Sequence, residues 1–98
     1  MYFVIFGTDR PGTEQLRLDT RPSHQQHLRD HPHPVAVLHG GPTLTADGSR
    51  MNGSMLVVEA ENLADVEAFV ADDPYSKAGL FATVEIRPWK WGMGAPGS

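Results

Sequence analysis

Cysteine is absent from these 98 residues. Disulfides, thiolate nucleophiles and thiolate metal sites are excluded together. Basic side chains are in the minority: 8 Lys and Arg against 12 Asp and Glu leave a net charge of −4. A surface that tracks phosphates wants a basic excess, so nucleic acid is not an expected partner. Neither sign forms a long block, which argues against a charged interaction tail. No apolar run approaches the ~18 residues that a membrane span needs. No basic segment precedes the apolar Tyr2-Phe3-Val4-Ile5-Phe6, as one would in a secretory leader. The expectation is a soluble cytoplasmic chain with no membrane partner, in which Asn52-Gly53-Ser54 is a turn and not a glycan acceptor. No internal repeat of short period is visible.

What remains is enough for one domain, expected over residues 1–91 with a loose tail over 92–98. The hydrophobic share is 40%. A chain this long buries only about two thirds of the surface it exposes when unfolded, so the core is thin. Residues 2–7 are apolar on both alternating sets, with Tyr2, Val4 and Phe6 on one face and Phe3 and Ile5 on the other. Such a strand expects cover on both sides. Asp9-Arg10-Pro11-Gly12 breaks it, and residues 8–19 read as a loop.

A helix is predicted over residues 20–31, with Pro22 in its first turn and Pro32 ending it. At 100° per residue His24, His27, Leu28 and His31 share one inward stripe. Strands follow over residues 34–41 and 54–60, separated by a polar hairpin region holding Asp47-Gly48. Asn62 caps a second helix whose Leu63, Val66, Phe69 and Val70 form an apolar stripe. The last strand covers residues 80–88. The order β-α-β-β-α-β predicts a ferredoxin-like α+β fold. Two right-handed crossovers then put both helices on one face of a four-stranded antiparallel sheet. The other face is apolar and bare, which predicts a homodimer packed sheet to sheet as a dimeric α+β barrel.

Asp72-Asp73-Pro74-Tyr75 stands out within this frame: it ends an apolar-faced helix and places a carboxylate on a tight Pro turn between large apolar residues. Such a carboxylate, held at a pocket rim, could orient an imidazole, leaving the other ring nitrogen as general base or acid. His24 is the candidate partner of Asp73, and Asp72 is the decoy. Each has a plain structural alternative, a packed core histidine or a turn carboxylate. Arg21 is a candidate for binding a substrate carboxylate, or a salt-bridge partner of Glu14, Asp19 or Asp30. Tyr75, Phe81 and Trp89 are candidate lining of an apolar pocket, or core and dimer contacts. His27 and His31 at i, i+4, with His24 and His33 nearby, raise the alternative of a transition-metal site. Gly40-Gly41-Pro42 is no phosphate loop, because no Lys or Ser/Thr follows at the required spacing.

Read together, Arg21-Pro22-Ser23-His24 with Leu28, Gly41-Pro42, Asp47-Gly48, Gly53-Ser54, Asp73-Pro74-Tyr75 with Ala78-Gly79-Leu80, and Glu85-Ile86-Arg87-Pro88-Trp89 resemble the YCII-related proteins of the dimeric α+β barrel superfamily. The resemblance runs from the first strand to Trp89. It implies a ferredoxin-like dimer with a His–Asp active site carried by His24 and Asp73. It also implies small-molecule lyase chemistry of the dehydrohalogenase type, without a cofactor. His27 stands where that family more often has an aromatic residue. The first reading is therefore a small cofactor-independent lyase or isomerase acting on a small organic acid or ring-derived metabolite. His24 and Asp73 would be its catalytic residues, with Arg21, Tyr75 and Trp89 contacting substrate. The alternatives are a non-catalytic small-molecule-binding module and a histidine-based metal-binding protein.

Overall fold

The computed structural model describes residues 1–96. Residues 97 and 98, the end of the expected tail, lie outside the described residues. The elements are β1 (Tyr2–Asp9), α1 (Glu14–Arg29), β2 (Val35–Leu44), β3 (Met51–Ala60), α2 (Leu63–Ala71), the single-turn α3 (Pro74–Lys77) and β4 (Phe81–Trp89). The four strands form one antiparallel sheet in the order β2-β3-β1-β4. This is the expected split βαβ arrangement.

Alternation along the strands decides which side is covered. Phe3 and Ile5 of β1 and Leu56, Val58 and Ala60 of β3 point toward the helices, where Val66 and Phe69 of α2 close the core. All seven are buried. The opposite alternation puts Val4, Phe6, Met55, Val57 and Trp89 on the bare face. There they line an open groove of about 680 Å³ with Trp91.

Four sequence expectations need correction. Residues 8–19 are not a loop: β1 continues to Asp9, and α1 begins at Glu14 after a turn at Gly12. The early part of α1 escaped notice because its inward residue is a buried arginine, Arg17, where an apolar residue would have signalled the stripe. Pro22 therefore lies inside the helix and not in its first turn. It forfeits the bond to the Leu18 carbonyl, but both residues face solvent, where water can serve that oxygen. The hairpin loop is shorter than expected, because β2 extends to Leu44 and β3 starts at Met51. Asn52-Gly53-Ser54 is consequently strand and not turn. Asn62 caps α2 as predicted, accepting from the Asp65 amide at 2.9 Å.

Candidate active site

The site is assembled from the middle of α1, the α2–α3 junction and β4. Gly7 of β1 makes the first space: a Cβ there would stand 2.6 Å from the Phe81 ring. Phe81 thus lies down on the sheet. Tyr75 packs edge-on to it at 5.8 Å, and the His24 ring stacks on Tyr75 at 4.0 Å and 18°. Gly79, at φ +71, then turns the chain from α3 back into β4.

Asp73 sits at the hinge of this arrangement. Its extended backbone makes it the N-cap of α3, accepting from the Tyr75 amide at 2.9 Å. The same carboxylate lies 2.9 Å from His24 Nδ1 through each of its oxygens. A carboxylate only accepts, so Nδ1 carries the hydrogen. Nε2 has no hydrogen-bond partner among the described residues and is the free ring nitrogen. Both side chains are buried. Pro74 at the first helical position supports the same turn, since its missing N–H is not needed there.

The decoy is resolved by one step of backbone. Asp72 closes α2 in a helical conformation, and its carboxylate meets His33 Nε2 at 3.0 Å and Lys77 Nζ at 2.7 Å. Those contacts, Lys77 first and His33 second, hold its carboxyl down at about 2.

His24 opens onto a cleft of about 130 Å³ between α1 and the start of the β2–β3 hairpin. Arg17, Arg21, Gln25, Leu28, Ser54, Tyr75 and the Gly40-Gly41-Pro42 stretch complete its walls. Arg21 faces this cleft. It makes none of the ion pairs considered from the sequence: Glu14 binds Arg50, Asp19 accepts from Gln15, and Arg21 has no partner among the described residues. Trp89 is not part of the cleft; it lies on the bare face.

Sequence reasoning missed Arg17, Asp9 and Ser54. The Arg17 guanidinium donates through Nε and Nη2 to Asp9, at 2.6 and 2.8 Å, and through Nη2 to Ser54 at 2.9 Å. It also lies 4.5 Å above the Tyr75 ring. Burial works against its charge, but the Asp9 contacts outweigh that and hold its pKa above the ordinary arginine value. A signal was available: Arg17, Arg21, His24 and Leu28 share one face at i, i+4, i+7, i+11 once the helix is started at Glu14.

The remaining histidines form a separate group. His27 stacks on Phe69 at 4.7 Å and 21°, as an aromatic residue would, and its Nε2 donates to the Phe69 carbonyl at 3.0 Å. His31 and His33 lie beside it, with ring centroids about 6 Å apart. Among the described residues no group of three or more His, Asp or Glu is arranged to hold a metal ion. Two of these rings already spend a nitrogen on protein acceptors.

A four-stranded antiparallel sheet with its helices on one face, and a histidine-lined cleft between α1 and the sheet edge, defines the class as ferredoxin-like α+β. The YCII-related domain family matches residues 1–90, and the chain belongs to that family. An uncharacterised protein of Haemophilus influenzae is 34% identical over 92% of this chain and 97% of its own. The protein YciI of Escherichia coli is 30% identical over the same shares. Among solved structures, the 5-chloro-2-hydroxyhydroquinone dehydrochlorinase TftG of Burkholderia phenoliruptrix, in complex with 2,5-dihydroxybenzoquinone, is similar at a TM-score of 0.82. It is 41% identical over 94% of this chain and 96% of its own. An antibiotic biosynthesis monooxygenase, at 13% identity and TM-score 0.55, shares the fold. Among the described residues no helix is long and apolar enough to cross a membrane.

Proposed function

We propose that this chain is a small-molecule lyase that removes a proton and expels a leaving group, with His24 as general base and Asp73 as its orienting partner. The observation that carries the reading is the buried His24–Asp73 contact of 2.9 Å with Nε2 left unbonded beside the cleft. Asp73 fixes the tautomer and stabilises the imidazolium formed when Nε2 takes a proton. Proton transfer of this kind supplies ~10²–10⁴-fold. The likeness to a dehydrochlorinase supports elimination of a halide from a hydroxylated ring as the reaction to try first.

In this reading the working form is a homodimer. The sheet face away from the helices exposes Phe6 and Trp89 by 42% and 38% around an apolar groove, the kind of surface that a partner subunit covers. A second copy across a two-fold axis covers it. Sedimentation at micromolar concentration reports the mass; that of one chain would rule the dimer out.

The activity test is halide release from 5-chloro-2-hydroxyhydroquinone by the wild-type chain and by His24→Gln. The substitution is expected to lower release ~10²–10⁴-fold while leaving the circular dichroism unchanged. Release at the wild-type rate by His24→Gln would remove His24 as the base.

A further inference from the structure

The cleft contains two features that proton abstraction by His24 does not use. The first is its charge: Arg17 and Arg21 line it, and no Asp or Glu does. The two nearby carboxylates are occupied, Asp9 by Arg17 and Asp73 by His24 and the Tyr75 amide. Arg21 is left without a carboxylate partner among the described residues. The second is the Tyr75 hydroxyl, in a residue that is 0% exposed: the Arg17 guanidinium reaches its oxygen side, but its own hydrogen has no acceptor among the described residues. A buried O–H without an acceptor is unfavourable, so its persistence calls for an acceptor that arrives with the ligand.

Arg17 holds this arrangement in place. Its bidentate bond to Asp9 and its bond to Ser54 lock the guanidinium over the Tyr75 ring. Tyr75 in turn is clamped between Arg17, His24 and Phe81. Burial pushes the Tyr75 phenol up, and the pull of Arg17 and Arg21 does not reverse it. At neutral pH the phenol therefore keeps its proton and is a donor.

We propose that Arg21 and the Tyr75 hydroxyl form an oxyanion site beside His24, and that the substrate is a single-ring or short-chain compound whose enolate or phenolate oxygen they hold. The size agrees, since an apolar cavity of about 150 Å³ accepts benzene and this cleft measures about 130 Å³. The step balances without a further reagent. Nε2 takes the proton from the carbon next to a carbonyl or, on a hydroxylated ring, from the enol O–H of its keto tautomer. In the first case the C–H pair becomes a C=C bond and the carbonyl pair moves onto oxygen, in the second the O–H pair stays on oxygen, and in both Arg21 and Tyr75 meet the enolate. The enolate then collapses, re-forming C=O and expelling a halide with its electron pair from the neighbouring carbon. The products are the unsaturated carbonyl compound, halide and protonated His24.

This inference rests on the lyase reading but is tested apart from turnover. Calorimetry would compare 2,5-dihydroxybenzoquinone, which is anionic at neutral pH, with hydroquinone, a neutral ring of similar size. The wild-type chain is expected to bind the anion at least tenfold more tightly. Arg21→Met and Tyr75→Phe, both close in size to the native side chains, are each expected to lower that preference about tenfold or more, as a hydrogen bond to a charged group is worth ~1.5–3 kcal/mol. His24→Gln should keep the preference while losing turnover. Equal binding of the two rings, binding of neither, or a preference that survives in both Arg21→Met and Tyr75→Phe would each overturn the oxyanion site. Turnover retained by His24→Gln would instead remove the base and leave the oxyanion result to stand or fall by itself.

Discussion

Two histidine–carboxylate pairs stand one residue apart in this fold, and they differ in almost everything except chemistry. Asp72 meets His33 and Lys77 where its side chain is 39% exposed, while Asp73 meets His24 where its side chain is 6% exposed. At the exposed pair water screens the attraction and competes for both partners, so the contact contributes little. At the buried pair the dielectric is lower and the geometry is fixed by a second job, since Asp73 also caps α3. In the proposed reading, reactivity would follow from that burial and from the free Nε2 beside a cleft, not from the residue types alone.

The largest expected break in the comparison is a rate. His24→Gln should lower halide release ~10²–10⁴-fold, whereas His33→Gln should leave it within about twofold, as expected for a screened surface pair. Equal losses would mean that the two pairs are not distinct in role. A comparable effect on stability is expected where the buried network is opened. Arg17→Met strands the Asp9 carboxylate and should cost ~3–5 kcal/mol in urea unfolding. Arg50→Met, which removes an exposed pair with Glu14, should cost less than ~1 kcal/mol.

Asp73 separates its two tasks by substitution. Asp73→Asn keeps a capping side chain but loses the charge, so the rate should fall on the order of 10²-fold with little change in melting. Asp73→Ala should lose a further ~1 kcal/mol of stability as the cap disappears. Asp72→Asn should do neither, and a rate loss matching that of Asp73→Asn would reverse the assignment of the two carboxylates.

The smallest effects are in pH. Burial, then the neighbouring His27 and His33, hold the His31 pKa below 6.5. Protonating His31 therefore costs folding free energy: its contribution is complete above about pH 6.5 and is lost as pH falls through the lowered folded value. Urea midpoints measured downward from neutrality should decline, and His31→Asn should flatten that decline. Asp72, held at about 2, contributes above its unfolded value of 3.8 and loses that contribution only as pH falls toward 2. A decline unchanged in His31→Asn would assign the acid sensitivity to other groups.

Much of the fold was legible because its signals are local. Alternation in Tyr2–Phe6, the Asn62 cap and the Val66/Phe69 stripe each depend on a few neighbouring residues. The helix start at Glu14 was not legible, because the buried face there carries Arg17, whose burial depends on Asp9 and Ser54 from two different strands. Trp89 shows the same limit from the other side. An aromatic residue at a strand end reads as pocket lining, but its alternation phase sends it to the bare face.

The sequence by itself determined the strand and helix order, the turn that presents Asp73, the family, and the shortlist containing His24. Only the tertiary structure decided that Asp73 and not Asp72 holds that imidazole, that Arg17 is buried, and that Arg21 and Tyr75 share the cleft. Local patterns follow from 2.0- and 3.6-residue periods, which a linear chain displays. Pairings across 49 residues, as between His24 and Asp73, depend on how α1 and the α2–α3 junction settle on one sheet face. No local period encodes that distance.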